Sequence, residues 1–186
     1  MASIKTTLPA LSKILGMSES TIYERQRALV RIGALKPLPG RGRGTGVELN
    51  TRNLATLLIG CGAFMSLSDL DERVHQYIRA PAEKPCIMTG CRTLRDAIEA
   101  TIEGKFVGEH PHVEGIVCFN LQASGADILW AGQLKMNRLP GHPIISSFGR
   151  AHELPGRGPG IDFRSYLSVE VIESLRNLLI EAGGGE

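Results

Sequence analysis

Two stretches of helical periodicity meet at a short break, and that break constrains the fold of this chain more than any other feature. Leu8, Leu11 and Leu15 are spaced by three and four, the apolar face of a short helix over about 9–15. Gly16 and Met17 interrupt it. Ser18 then offers a good N-cap, and a longer helix is expected over 19–32, ended by Gly33. At about 100° per residue, Ile22, Gln26, Leu29 and Ile32 gather on one side of this second helix, a stripe suited to packing on the first, with Gln26 its weak member. Ser20, Tyr23, Glu24, Arg27 and Arg31 fall on the opposite side, mixing cations with hydrogen-bonding groups in the way that reading a nucleic-acid groove requires.

The segments 34–39 and 46–49 read as extended and flank 40–46, Gly-Arg-Gly-Arg-Gly-Thr-Gly, so a hairpin with a cationic tip is expected there. Glycine lets the backbone approach a phosphate or enter a narrow groove, and Arg41 and Arg43 supply the charge that such a groove attracts. Charge is also segregated along the chain. The net +2 hides nine Lys or Arg against three Glu over residues 1–52, a balance of +6, and twelve against sixteen in the remainder, a balance of −4. A basic module joined to an acidic one suggests that the first part meets a polyanion and the second does something else.

Further helices are expected at 51–63, with Thr51 as cap, and at 69–78, where Ser68 and Asp71 resemble a capping box. Residues 80–92 hold two prolines and a glycine and read as loop, after which Thr93 caps another short helix. Beyond Gly104 the pattern changes to strands at 113–121 and 126–131, with a third at 143–148 and a loop at 149–160. Ser168 caps a last helix whose stripe of Val171, Ile172, Leu175, Leu178 and Leu179 is core, dimer surface or both. The chain is therefore expected to be α+β: a DNA-binding domain over 1–50, a helical linker or dimerisation region over 51–104, an α+β domain over 105–182 and a disordered tail at 183–186.

With 42% hydrophobic and 22% charged residues, the chain falls in the ordinary range for globular proteins. It has no run of eighteen apolar residues, and its first residues lack the apolar core of a signal peptide, so a cytoplasmic protein without membrane contact is expected. Cys61, Cys86, Cys91 and Cys118 are too few and scattered for a disulfide framework. Cys86 and Cys91 with His110 and His112 invite a zinc-site reading, but a five-residue Cys spacing and a His-x-His alternation fit the usual structural sites poorly. The two histidines with Glu109 lack an accompanying nucleophile elbow, phosphate loop or zincin helix, so neither enzyme activity nor a cofactor is expected.

The segment 8–35 resembles the winged helix-turn-helix transcriptional regulators of bacteria and their phages: a helix ending in Gly16, the cap Ser18, an apolar Ile22 four residues on, and Leu29 to Gly33 ahead of the wing. The resemblance covers about the first quarter of the chain. It implies sequence-specific binding of double-stranded DNA, with the helix after Ser18 in a major groove and the wing on an adjacent minor groove or backbone. Ser18, Ser20 and Thr21 would bind phosphate, Tyr23, Arg27 and Glu24 would approach base edges, Arg25 at the flank would meet phosphate, Arg31 would lie on the same outward DNA-facing side, and Arg41 and Arg43 would grip through the wing. Tyr23 and Glu24 have plainer alternatives, Tyr23 packing over the wing and Glu24 pairing with Arg27 or Arg31 along the helix. Useful specificity implies a homodimer, and the acidic C-terminal part would bind a protein or small-molecule effector. Such domains usually carry a further helix before the first one seen here, and the helix at 51–63 is the expected substitute, from the same subunit or by exchange. The alternatives are a DNA-site marker for replication, partition or packaging, and, less favoured, a metal-binding or hydrolytic domain fused to the same module.

Overall fold

The computed structural model describes residues 2–39, 46–64, 66–107, 113–120, 125–132, 144–149 and 164–183. Leu8–Leu15 forms α1, with Pro9 at its start and Gly16 closing it in the left-handed conformation at φ 64°. Glu19–Arg31 forms α2, capped by Ser18, whose Oγ accepts from the Thr21 amide at 3.1 Å. The two helices are packed together, joined by the tight turn that the break predicts.

After α2 the chain doubles back. Ala34 and Leu35 donate to the Leu29 carbonyl at 2.9 and 3.1 Å, and Pro37 pairs with Val47 across an antiparallel bridge, Leu38 donating to Gly46 at 2.8 Å. The sequence reading left one component out: residues 2–4 lie along the other side of this hairpin. Ser3 pairs with Glu48, Ile4 donates to Val47 at 2.8 Å and Leu49 donates to Ala2 at 3.0 Å. Gly46 is required by that approach, since a Cβ there would lie 2.9 Å from the Ser3 Cβ.

Thr51–Gly62 forms α3, capped by Asn50 rather than Thr51, because the Asn50 side chain accepts from Asn53 at 2.8 Å. It packs on α2 within the same chain. Leu67–Ile78 forms α4, capped by Ser66 through Asp69; the expected Ser68 cap lies inside the helix. Leu94–Glu103 forms α5, capped by Thr93 as predicted. Between them, residues 80–93 are tied rather than loose: Pro81 pairs with Thr93, Cys86 donates to Cys91 at 2.8 Å, and Ala82 pairs with Phe148.

Val113–Asn120 (β1), Gly125–Gly132 (β2), Ile144–Gly149 (β3) and Arg164–Leu167 (β4) form an antiparallel sheet in the order β3-β2-β1-β4. The short β4, which has no signal in the sequence, pairs with β1 from Val117↔Leu167 to Asn120↔Arg164. Val169–Gly183 forms α6, which packs on α1, α5 and β1. Part of its stripe is core: Ile172 and Leu175 are buried, and Val171, Leu178 and Leu179 are partly buried against the same cluster. The molecule is α+β, and its buried side chains form one cluster reaching from Ile4 to Leu175 across positions 50 and 104. Of the predicted tail, residues 184–186 lie outside the described residues. No helix among the described residues is long and apolar enough to cross a membrane.

Candidate nucleic-acid interface

Burial divides α2 much as its periodicity predicts. Ile22, Gln26, Ala28 and Leu29 are buried, whereas Ser20, Glu24, Arg27 and Arg31 are exposed. At the amino end three hydroxyls converge: Ser18 Oγ lies 2.9 Å from Ser20 Oγ and 2.7 Å from Thr21 Oγ1. Together with the first-turn amides of Glu19 and Ser20, which have no partner within the helix, they make a hydrogen-bonding end that also carries the Glu19 carboxylate.

One turn on, Tyr23, Glu24 and Arg27 form a single cluster. The Arg27 guanidinium donates to Glu24 Oε1 at 3.1 Å and lies 5.9 Å from the centre of the Tyr23 ring. This is the plainer alternative for Glu24. With the two side chains 63% and 50% exposed, the pair is worth less than about 1 kcal/mol, so Arg27 exchanges partners at small cost.

The other two arginines of α2 behave differently. Arg25 is buried, and its guanidinium donates to the Gly60 carbonyl at 3.2 Å and the Ser66 carbonyl at 3.5 Å. The assignment of Arg25 to phosphate is therefore corrected. Its azimuth places it beside α3, where it satisfies the Gly60 carbonyl, one that the end of that helix cannot pair internally, and it reaches the Ser66 carbonyl at the start of α4. Arg31 is exposed but engaged, donating to Asp71 of α4, and that hydrogen bond raises its pKa further. Beside it, His75 Nε2 lies 3.2 Å from the Ile32 carbonyl. Neither Asp71 nor His75 has a sequence signal for this role, because both act across about forty residues of chain.

Arg41 and Arg43 lie outside the described residues, which on either side of them are 34–39 and 46–49. His110, His112 and Glu109 also lie outside them. Cys86 donates to Ser146 Oγ at 3.2 Å, and the same oxygen accepts from Trp130 Nε1 at 3.0 Å, so this thiol belongs to a buried polar link between the 80–93 segment and the sheet. Among the described residues no group of three His, Cys, Asp or Glu side chains is placed to hold a metal ion. A groove of about 880 Å3 runs beside the end of α4, lined by His75, Gln76, Arg79, Pro81, Glu83 and Gly149.

No protein-family model, curated protein or solved structure matches this chain.

Proposed function

We propose that the chain is a sequence-specific double-stranded DNA-binding transcriptional regulator of the winged helix-turn-helix kind, such as a prophage carries. In this reading α2 enters the major groove and the glycine-arginine segment at 40–46 reaches the minor groove or backbone. The observation that carries it is the division of α2. One face is packed and capped, while the other presents Ser20, Glu24 and Arg27 with the half-buried Tyr23 among them, and its hydroxyl-rich amino end offers donors to phosphate. The antiparallel stem at 37 and 47 supports the wing, and α3 packed on α2 supports the core that such a module needs. One module buries limited surface, so the protein acts as a homodimer on paired half-sites.

Selection of bound sequences from a random duplex pool by the purified protein tests the reading. Enrichment of a two-fold-related motif, with half-sites separated by a whole helical turn, is the expected result. An unenriched pool, or binding equally strong to every duplex, overturns it.

A further inference from the structure

The reading face of α2 carries two exposed arginines whose partners differ in kind. Arg27 pairs within the helix to an exposed glutamate, whereas Arg31 donates to Asp71 Oδ2 across to α4. The Asp71 side chain is 35% exposed, and its Oδ1 is buried with no hydrogen-bond partner among the described residues. A carboxylate with one oxygen shut off from water relies on its remaining cation, and withdrawing that cation leaves charge poorly compensated. His75, one turn further along α4, holds the Ile32 carbonyl, so α4 grips the end of α2 by both side chain and backbone.

We propose that Asp71 is a specificity-determining residue: by holding Arg31 it keeps that cation off the DNA backbone, so that binding depends on base contacts from the rest of α2. The inference rests on α2 being the DNA-reading helix. Carboxylate and phosphate compete for the same guanidinium. Arg27 gives up an exposed, weak pair when it turns to DNA, whereas Arg31 would strand a half-buried charge. Phosphate contacts add affinity for every sequence alike, and one contact fewer lowers the non-specific background against which the base contacts discriminate.

The experiment measures affinity against salt concentration, on a selected duplex and on one of unrelated sequence, for the intact protein and for Arg27→Ala, Arg31→Ala, Asp71→Asn and the Arg31→Ala/Asp71→Asn double variant. Asp71→Asn is expected to tighten binding to the unrelated duplex roughly three- to tenfold and to steepen the slope of log K against log salt by about 0.9. Arg31→Ala alone leaves the slope unchanged, and the double variant loses the gain. Unchanged binding by Asp71→Asn, or a shallower slope for Arg31→Ala, overturns the proposal while the reading helix stands, provided that Arg27→Ala still relaxes sequence preference. Arg31 is exposed, so its variant decides the matter even if Asp71→Asn folds poorly. If the intact protein binds neither duplex, the DNA reading and this inference fall together.

Discussion

Arg25 Nη1 donates to the Gly60 carbonyl at 3.2 Å, joining the middle of α2 to the last turn of α3. The carbonyls at a helix end lack intrahelical partners and carry the negative end of the dipole, so a guanidinium is well matched to them. Arg176 of α6 repeats the device on α5, donating from Nε to Ile102 at 2.8 Å and from Nη2 to Thr101 at 3.1 Å. Both arginines are structural cations, although nothing in their residue type separates them from cations that meet a partner.

Arg25→Met is therefore expected to destabilise the fold by about 1–3 kcal/mol, because the buried Gly60 carbonyl loses its charged donor. Urea unfolding followed by circular dichroism checks this. A variant as stable as the intact protein, but with weaker and less salt-dependent DNA binding, would restore Arg25 to the phosphate-contacting set.

Gly62→Ala is expected to cost about 1–3 kcal/mol through overpacking. A Cβ at that position would lie 2.6 Å from Cε2 of Phe119, a rigid ring buried on β1. Phe119→Leu in the same background makes room and should recover part of the loss, measured as a shift in the thermal midpoint.

Ser66 and Ser68 distinguish the two readings of how α4 begins. Ser66→Ala removes the acceptor of the Asp69 amide and should cost about 1 kcal/mol. Ser68→Ala, an exposed change inside the helix, should be close to neutral, and denaturant midpoints that reverse this order would move the cap.

Alkaline pH should weaken the fold before any arginine loses its charge. Burial pushes the Tyr77 phenol up to about 12, opposed by the nearby Arg73 charge, and pushes the Cys61 thiol up to about 12, opposed by Arg25. Both groups hold their protons more tightly folded than unfolded. The stability they contribute is fully present below about pH 9 and is lost as pH rises towards about 12. Tyr77→Phe and Cys61→Ala should each flatten the fall in unfolding free energy across that window.

For the interface, Arg27→Ala is expected to cost about 1–3 kcal/mol on the selected duplex and to relax preference at one base position. Replacing Arg41 and Arg43 with alanine should weaken binding to all duplexes and reduce the salt slope by about 2, one unit per lost phosphate contact. Fluorescence anisotropy across a salt series checks both, and unchanged affinity in both variants rejects the DNA reading.

The sequence alone determined α1, the turn at Gly16 and α2, because their signals are complete within a few residues: apolar spacing, a left-handed glycine and a serine cap beside the amide it accepts from. It also determined which face of α2 carries Ser20, Tyr23, Glu24 and Arg27, since azimuth follows from helical period. Short edges escaped it: residues 2–4 and the four-residue β4 are too brief to show alternation, and they exist only because a partner strand offers them hydrogen bonds. Tertiary structure alone decided the fate of Arg25 and Arg31. Arg25, Arg27 and Arg31 are the same residue type on one helix, yet one meets Gly60 at a separation of 35 residues, one stays beside Glu24 at a separation of 3, and one is held by Asp71 at a separation of 40. A guanidinium takes whatever acceptor the fold brings to it: Glu24 reaches Arg27 through the local helical period, whereas Gly60 and Asp71 arrive by packing.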